Sequence, residues 1–408
     1  MTELTIETLG SQGDGVGTLD GTEIFAAYTA PGETVSGELV GDRLENVRIL
    51  DPAPIRVKAP CRHFKTCGGC ATQHIRGDFL ADWKRGIVDT ALKRQGIEAT
   101  FRETVTSPPN SRRRAVFTGK RTKSGAMLGF HARSSDQLVA IETCTLLDPE
   151  ILNGFNGLKS LVQLAATRKG SVRLSVSTSL GGLDVDLTEA KPMDTGIMQD
   201  VVKIAHDSGF ARVFWNGEIV LERQPAQQEF GGAFVTPPNG AFLQATAHGE
   251  AALWDSISEI VGKSKSVLDL FAGCGTFSLP LARTAEVVAI ESSQPMLDAM
   301  DRGWRQAIGL KKLRTVQRDL FRNPLLSDEF KAYDAVVMDP PRAGAKEQTR
   351  HIADSGVTKI AFVSCNPATF ARDARTLLDG GFSLEWVQVV DQFLWSGHCE
   401  LVAHFSRR

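Results

Sequence analysis

The sequence predicts an α/β protein in which a doubly wound sheet follows an α+β segment and a small N-terminal β-barrel. Short apolar segments separated by glycine-rich turns fill residues 1–52, as in a small barrel. Residues 171–187 alternate apolar and polar side chains, which is typical of a half-buried sheet. From residue 267 onward, short apolar runs each end in polar or turn-forming residues, as parallel strands do. We therefore divide the chain into residues 1–52, 53–240 and 241–408.

Composition restricts the compartment. The chain has 408 residues, a formal net charge of −2 and 42% hydrophobic residues. We find no apolar stretch of signal-peptide length and none long enough to span a bilayer. The seven cysteines are an odd number, which favours a reducing compartment over a disulfide framework. We expect a cytoplasmic monomer without membrane association.

The barrel is expected to have strands around Ile6, Phe25, Val35 and Val47, with turns at GDGVG, DGTE and APGE. Its only basic residues are Arg43 and Arg48. Because an acidic surface repels phosphates, we expect this barrel not to bind nucleic acid.

The next segment has the opposite charge. Residues 54–135 contain only five acids. Their basic residues are Arg56, Lys58, Arg62, Lys65, Arg76, Lys84, Arg85, Lys93, Arg94, Arg102, Arg112, Arg113, Arg114, Lys120, Arg121, Lys123 and Arg133. This pattern predicts a polyanion-binding surface, centred on Arg112–Arg114, and the alternative is a solvated basic face. Phe117, Phe130 and His131 are candidate platforms for unstacked bases.

Three cysteines, Cys61, Cys67 and Cys70, lie in the run CRHFKTCGGC, and Cys144 is the only other cysteine before residue 241. Four thiolates suffice for a metal site. Zinc sites usually pair two short knuckles, whereas three clustered cysteines with a distant fourth are closer to iron-sulfur spacing. An iron-sulfur cluster is therefore favoured over zinc, and unliganded cysteines are the third alternative.

A nucleotide-binding βα unit is predicted at residues 267–277, VLDLFAGCGTF. It lacks the third glycine of a dinucleotide fingerprint and has Asp269 before the bend, where a positively charged amino-acid moiety would bind favourably. This pattern favours S-adenosylmethionine over NAD. Glu291 ends the next apolar strand and is expected to accept the ribose hydroxyls. Asp319 is expected to close the adenine pocket. The alternative interpretation of the whole unit is a glycine-rich turn whose neighbouring carboxylates bind no cofactor.

The run VSCNPATFARD places Cys365 at the end of an apolar strand, and Asn366 and Pro367 then force a turn. In open α/β sheets ligands bind at this edge. The preceding strand delivers Asp339 to the same edge. The last apolar segment, residues 401–405, is expected to run antiparallel between its neighbours, which would bring Glu400 beside the thiol. The alternatives are that Cys365 is a small core residue and that Cys399 is the reactive thiol.

A thiol, a carboxylate and a methyl donor suffice to methylate carbon 5 of a uracil. Thiolate addition at carbon 6 makes carbon 5 nucleophilic, and a base then removes the carbon 5 proton so that the thiolate leaves. Cys365 would be the nucleophile and Glu400 the base. We expect the pKa of Cys365 to lie below about 8.5 if Arg342 or backbone donors are close.

Four segments, LDLFAGCGTFSLPLA, DPPRAG, SCNPATFARD and GHCELVAHF, resemble those of the RNA 5-methyluridine methyltransferases, particularly the bacterial 23S rRNA uracil-C5 group. The resemblance covers nearly the whole chain. It implies a Rossmann-like class I methyltransferase domain at 241–408, a central RNA-substrate domain at 53–240 and an OB-like TRAM barrel at 1–52. It also implies that Cys365 is the nucleophile and Glu400 the base.

The resemblance further implies two bound groups. The positions that match the family's S-adenosylmethionine contacts are Gln244, Phe271, Thr276, Glu291, Asp319 and Asp339. A 4Fe-4S cluster is implied on Cys61, Cys67, Cys70 and Cys144. Family members often have Asn where this chain has Thr246 and Thr276.

The predicted substrate is a uridine in structured RNA, first 23S rRNA and, as the nearer alternative, tRNA. RNA cytosine-C5 methylation is disfavoured because those enzymes typically have cysteine after the paired prolines, where this chain has Arg342. A non-catalytic iron-sulfur RNA-binding protein is the third alternative.

Overall fold

The structure is a computed structural model that describes residues 1–407. Its N-terminal sheet has the strand order β1-β5-β6-β4-β3-β2. The strands are β1 (Thr2–Thr5), β2 (Thr8–Leu9), β3 (Gly15–Leu19), β4 (Thr22–Ala26), β5 (Thr34–Val40) and β6 (Arg43–Asp51). The sheet curls until β3 lies against β1, and a Cβ at Gly17 would overlap the carbonyl oxygen of Thr5. Leu4, Ile24 and Val35 fill the interior, so these residues form the expected barrel.

Two acids of the barrel pair with the basic segment that follows it. Asp14 forms a two-pronged ion pair with Arg133, at 2.6 and 2.8 Å. Glu33 is fully buried and pairs with Arg56. Part of the charge asymmetry seen in the sequence therefore stabilises contacts between the barrel and its neighbour.

The second sheet has the order β10-β9-β8-β11-β12-β13-β14, and helices α3 and α4 pack on it. Before it lie α1 (Gly77–Lys93) and β7 (Val105–Thr106). Its elements are β8 (Arg114–Arg121), β9 (Ala126–His131), β10 (Leu138–Ala140), α2 (Pro149–Asn153), α3 (Phe155–Ala165), β11 (Ser171–Ser177), β12 (Asp184–Thr188), α4 (Thr195–Asp207), β13 (Arg212–Trp215) and β14 (Glu218–Glu222). The sheet predicted at residues 171–187 is thus confirmed as β11 and β12.

The C-terminal part contains a short hairpin and an eight-stranded sheet. Its elements are β15 (Gln228–Phe230), β16 (Ala233–Val235), α5 (Ala247–Val261), β17 (Ser266–Leu270), α6 (Ser278–Leu281), β18 (Glu286–Glu291), α7 (Gln294–Gln306), β19 (Leu313–Gln317), a 3-10 turn (Ser327–Phe330), β20 (Ala335–Met338), α8 (Lys346–Ala353), β21 (Lys359–Ser364), α9 (Pro367–Asp379), β22 (Ser383–Asp391) and β23 (Glu400–Ser406). The strand order is β19-β18-β17-β20-β21-β23-β22-β7.

Helices cover both faces of this sheet, which explains its unbroken apolar strands. In β21, Ala361 and Val363 face the core shared with α5, α6 and α7. Ile360 and Phe362 face the core shared with α1, α8 and α9. The first five strands of the order are parallel, and β23 is antiparallel to both β21 and β22. The predicted fold class and the antiparallel position of the last strand are confirmed.

Part of the segment assigned to the central domain packs on this third sheet. Val88 and Leu92 of α1 belong to its core, and β7 pairs with β22. The domain boundary at residue 240 stays a prediction. Residues 77–106, which precede that boundary, contact the C-terminal sheet, which follows it. No helix among residues 1–407 is long and apolar enough to cross a membrane.

Candidate active site

Strand register brings Cys365 and Glu400 together. In the antiparallel pair of β21 and β23, Ser364 lies opposite Leu401, so the next residues along the two strands, Cys365 and Glu400, are neighbours. The backbone then turns because the side chain of Asn366 caps α9, accepting from the amide of Ala368 at 3.1 Å. The juxtaposition expected from the topology is therefore present.

Both side chains line a cavity of about 640 Å³. Arg114, Phe242 and Arg342 line the same cavity. We call Cys365, Gln392 and Glu400 the sheet wall of this cavity, because each lies at the end of a strand of the C-terminal sheet.

Cys399 faces away from the cavity. Its side chain is 1% exposed and packs in the core with α1 and α9. Its sulfur lies 3.9 Å from the carbonyl oxygen of Lys84. Burial raises the pKa of Cys399 to about 12. Cys274 is also buried and packs in the core shared with α5, α6 and α7.

A chain of amide hydrogen bonds joins the carboxylates. Gln244 donates to Asp339 at 3.0 Å, and Gln392 donates to the side-chain oxygen of Gln244 at 2.6 Å and to Glu400 at 3.4 Å. The oxygen of Gln392 accepts from the backbone amide of Ala245 at 2.9 Å. Sequence reasoning missed Gln392. The sequence feature that could have indicated Gln392 is its position directly after the apolar segment that forms β22.

Burial is the main cause of the raised pKa values of Glu400, Asp339 and Cys365. Desolvation and the neighbouring Asp339 raise the pKa of Glu400 well above its ordinary value, and one oxygen of Glu400 has no hydrogen-bond partner. Desolvation raises the pKa of Asp339 to about 7. Desolvation and the charges of Glu400 and Asp339 raise the pKa of Cys365 to about 11. The expected low thiol pKa is therefore wrong. Arg342 does lower it, but burial outweighs that effect.

The predicted cofactor residues lie where β17, β18, β19 and β20 end. Asp269 is buried, accepts from the hydroxyl of Ser278 and leaves one oxygen without a partner. Desolvation, together with the charges of Asp339 and Glu291, raises its pKa to about 7. Glu291 accepts from the amide of Gly273 in the glycine bend at 3.1 Å.

Two aromatic rings flank this edge. Phe271 adopts a positive φ of 61°, and its ring lies 5.6 Å from that of Phe321. Asp319 accepts the backbone amides of Phe321 and Arg322, so it fixes the turn that carries the second ring. Thr276 is partly exposed in the glycine bend.

Four further cysteines line the same cavity, and we call them the cysteine wall. They are Cys61, Cys67, Cys70 and Cys144. Burial raises the pKa of Cys70 to about 12, and the other three thiols add to the effect. Within residues 1–407, no three His, Cys, Asp or Glu side chains come together closely enough to hold a metal ion.

Several basic and aromatic residues have other roles than those predicted. Arg113 is buried and pairs with Glu250, and it donates to the carbonyl of Gln244 at 2.9 Å. It therefore positions the active site and is not free to contact phosphates. Lys84 is buried against Asp391. Phe117 is fully buried and cannot stack on a base, whereas Phe130 lines the cavity.

Comparison with known proteins identifies this arrangement. Residues 231–408 match the family model described as tRNA (uracil-5-)-methyltransferase. An uncharacterized RNA methyltransferase of Mesorhizobium japonicum is 40% identical, with 98% of this chain and 96% of the relative covered. The chain belongs to the RNA methyltransferases. The protein is therefore an S-adenosylmethionine-dependent RNA methyltransferase whose C-terminal part matches the uracil-5 family model.

Two further members have named substrates. The 23S rRNA (uracil(1939)-C(5))-methyltransferase of Acinetobacter baumannii is 29% identical over 98% of this chain and 95% of its own length. The Pyrococcus abyssi tRNA (uracil-54, C5)-methyltransferase, solved with S-adenosyl-L-homocysteine, matches with a TM-score of 0.77 at 21% identity, covering 99% of both chains. This structural likeness shows a shared fold over nearly the whole of both chains.

Proposed function

We propose that the protein methylates carbon 5 of a uridine in structured RNA through a covalent cysteine adduct, with 23S rRNA as the first candidate substrate. The meeting of Cys365 and Glu400 in one cavity carries this proposal. The 29% identical relative acts on 23S rRNA, which supports that substrate. tRNA is the alternative, because the family model and the matched archaeal structure concern tRNA.

In this proposal the thiolate of Cys365 forms a bond to carbon 6 of the uracil, and the electrons of the 5,6 double bond move to the carbonyl oxygen at carbon 4. When bound, S-adenosylmethionine supplies an electrophilic methyl group on a cationic sulfur. The enolate returns its electrons to form the bond from carbon 5 to that methyl group, while the bond from the methyl group to sulfur breaks and neutral S-adenosylhomocysteine leaves. Glu400 then takes the carbon 5 proton, the double bond re-forms, and the thiolate is expelled.

The environment of Glu400 suits the second half of this reaction. A buried carboxylate with a raised pKa is a stronger base than an exposed one, and its protonated form is well tolerated. Its unpaired oxygen is free to accept the proton. Gln392 holds the other oxygen, so we assign it the role of positioning the base.

The residues present fit the cofactor. Carboxylates at Asp269, Glu291 and Asp339 repel one another, and a cationic ligand would relieve that repulsion. We propose that Gln244 and Asp339 bind the methionine end and Glu291 the ribose. Phe271, Thr276 and Asp319 would hold the adenine side.

The substitution Glu400→Gln tests the mechanism directly. Addition and methyl transfer do not need the base, so this variant should accumulate protein covalently linked to methylated RNA. The adduct should survive denaturing gel electrophoresis, carry label from radioactive S-adenosylmethionine, and require both RNA and cofactor.

Two double variants identify the nucleophile. Glu400→Gln with Cys365→Ala should form no adduct, whereas Glu400→Gln with Cys399→Ala should form it normally. The reverse pattern would make Cys399 the nucleophile. A non-catalytic RNA-binding protein would give no label in any variant.

The substrate is tested in cells. Deleting the gene should remove 5-methyluridine from one 23S rRNA site while tRNA keeps its own. Loss from tRNA alone would favour the alternative substrate.

We also propose that the cysteine wall holds a 4Fe-4S cluster. Four thiols facing one cavity are a fitting donor set. A four-iron cluster is a larger body than a single ion, so its ligands need not meet at one point. Anaerobically purified protein should contain about four iron per chain. Stoichiometric zinc without iron or sulfide would reject the cluster.

A further inference from the structure

The segment that leads into Glu400 is an irregular loop, residues 391–399, which we call the Gln392 loop. It begins at Asp391, the last residue of β22, and ends just before Glu400, the first residue of β23. It carries Gln392, and its last residue directly precedes Glu400. Its conformation therefore determines where the base lies.

This loop is held from two sides by the segments before β8. Lys84 of α1 pairs with Asp391 and donates to the carbonyl oxygen of Phe393 at 2.9 Å. The backbone amides of Ala71 and Thr72 donate to the carbonyl oxygen of Trp395 at 2.8 and 3.3 Å.

The barrel holds it from the third side. The turn between β2 and β3, residues 10–14, packs so closely on the loop that a Cβ at Gly397 would overlap the carbonyl oxygen of Ser11. Gln12 of this turn lines the catalytic cavity. The ring nitrogen of Trp83 donates to the carbonyl of Leu9 at 3.1 Å, and the ion pair of Asp14 with Arg133 fixes the end of the turn.

The loop is also strained. Trp395 has a positive φ of 61°, which is unfavourable for a bulky residue and persists only where the surroundings impose it. Its side chain packs against a buried cluster formed by Ala30 of the barrel, Leu80 of α1 and Ile75. The barrel thus supplies part of the packing that maintains this conformation.

We propose that the N-terminal barrel is a structural part of the active site, whose turn at residues 10–14 holds the Gln392 loop and so positions Glu400. The expected effect on the reaction rate rests on the proposed function, whereas the expected effect on the mobility of the Gln392 loop does not. It predicts that loosening the barrel slows the chemical steps more than it weakens RNA binding.

Gly397→Ala is the sharpest test, because Gly397 does not have a positive φ and Ser11 is the nearest obstacle to a methyl group. The single-turnover rate should fall about 10- to 100-fold, as for a small misplacement of a catalytic group, with RNA affinity unchanged. Labelled RNA adduct should also persist, since proton removal depends on Glu400. Gly356→Ala is the matched control, because a methyl group there meets open space.

Trp83→Phe and Asp14→Asn loosen the turn from outside the loop and without a clash. Both should raise hydrogen exchange of residues 391–399 in the full-length protein, a measurement that needs no activity. Unchanged exchange in both variants, or RNA affinity lost with the single-turnover rate intact, would overturn the proposal. Raised exchange in a protein whose wild type methylates no RNA would instead reject the proposed function alone.

Discussion

The two walls of the catalytic cavity are built by different means. The sheet wall takes Cys365 and Glu400 from adjacent strands, so backbone hydrogen bonds fix their relation. The cysteine wall takes its four thiols from segments outside the helices and strands. Both walls bury acidic groups whose pKa is raised by desolvation. The comparison shows that strand pairing fixes the relation between the residues of the sheet wall, whereas no strand or helix among residues 1–407 fixes the four thiols of the cysteine wall.

The largest expected effect separates reactive from structural cysteines. Cys365→Ser should reduce methyl transfer by at least about 10³-fold, because a hydroxyl is a far weaker nucleophile at neutral pH. Its melting temperature should stay near that of the wild type, since Cys365 is only partly buried. Turnover and thermal unfolding measured on the same preparation check both.

Cys399→Ser is the matched control for that prediction. Its sulfur already lies near the carbonyl oxygens of Lys84 and Gly397, which a hydroxyl could use as acceptors. Methyl transfer should therefore stay close to the wild-type rate. A large loss here, with Cys365→Ser still active, would reverse the assignment of the nucleophile.

The difference between the walls also explains what the sequence could predict. Apolar runs ending in Asp339 and Cys365 predicted two parallel strands, and the family of folds that such strands form placed Glu400 beside the thiol. The apolar runs specify the strands themselves, and the order of strands in this fold then brings the two residues together.

Long-range pairing was beyond those patterns. Arg113 was predicted to bind RNA, but its partner Glu250 lies on α5, far along the chain. Phe117 belongs to an alternating strand, and alternation does not say which face is buried. Gln392, like Asp339, directly follows an apolar strand. Its role could not be predicted from that position, because it depends on hydrogen bonds with the Ala245 amide, Gln244 and Glu400.

A second prediction tests how the sheet wall is preorganised. Gln392→Leu keeps the volume but removes the hydrogen bonds that Gln392 makes to Gln244, to Glu400 and to the backbone amide of Ala245, leaving buried groups unpaired. We expect kcat to fall about 10- to 100-fold with KM for RNA unchanged. Gln306→Leu, on an exposed helix end, is the control.

Gln392→Glu distinguishes positioning from simple packing. A second carboxylate beside Glu400 should raise the pKa of Glu400 further, so the rate profile should shift to higher pH. If only KM for the cofactor changed in both variants, Gln392 would serve the cofactor through Gln244 and not the base.

The smallest expected effect concerns the carboxylates of the predicted cofactor site, beside the sheet wall, with and without a bound cation. Asp269 and Asp339 have a pKa of about 7, above the ordinary carboxylate value. The folded chain then binds more protons than the unfolded chain between about pH 4 and 7, so stability without cofactor should decline as pH rises through that window.

A cation at this edge is bound more tightly once the carboxylates ionise. The dissociation constant of S-adenosylmethionine should therefore fall about tenfold from pH 6 to pH 8 for one such carboxylate. S-adenosylhomocysteine lacks the sulfonium charge and should show a weaker dependence by calorimetry, and Asp339→Asn should flatten both curves. Equal pH dependence for the two ligands would mean that the carboxylates do not face the sulfonium.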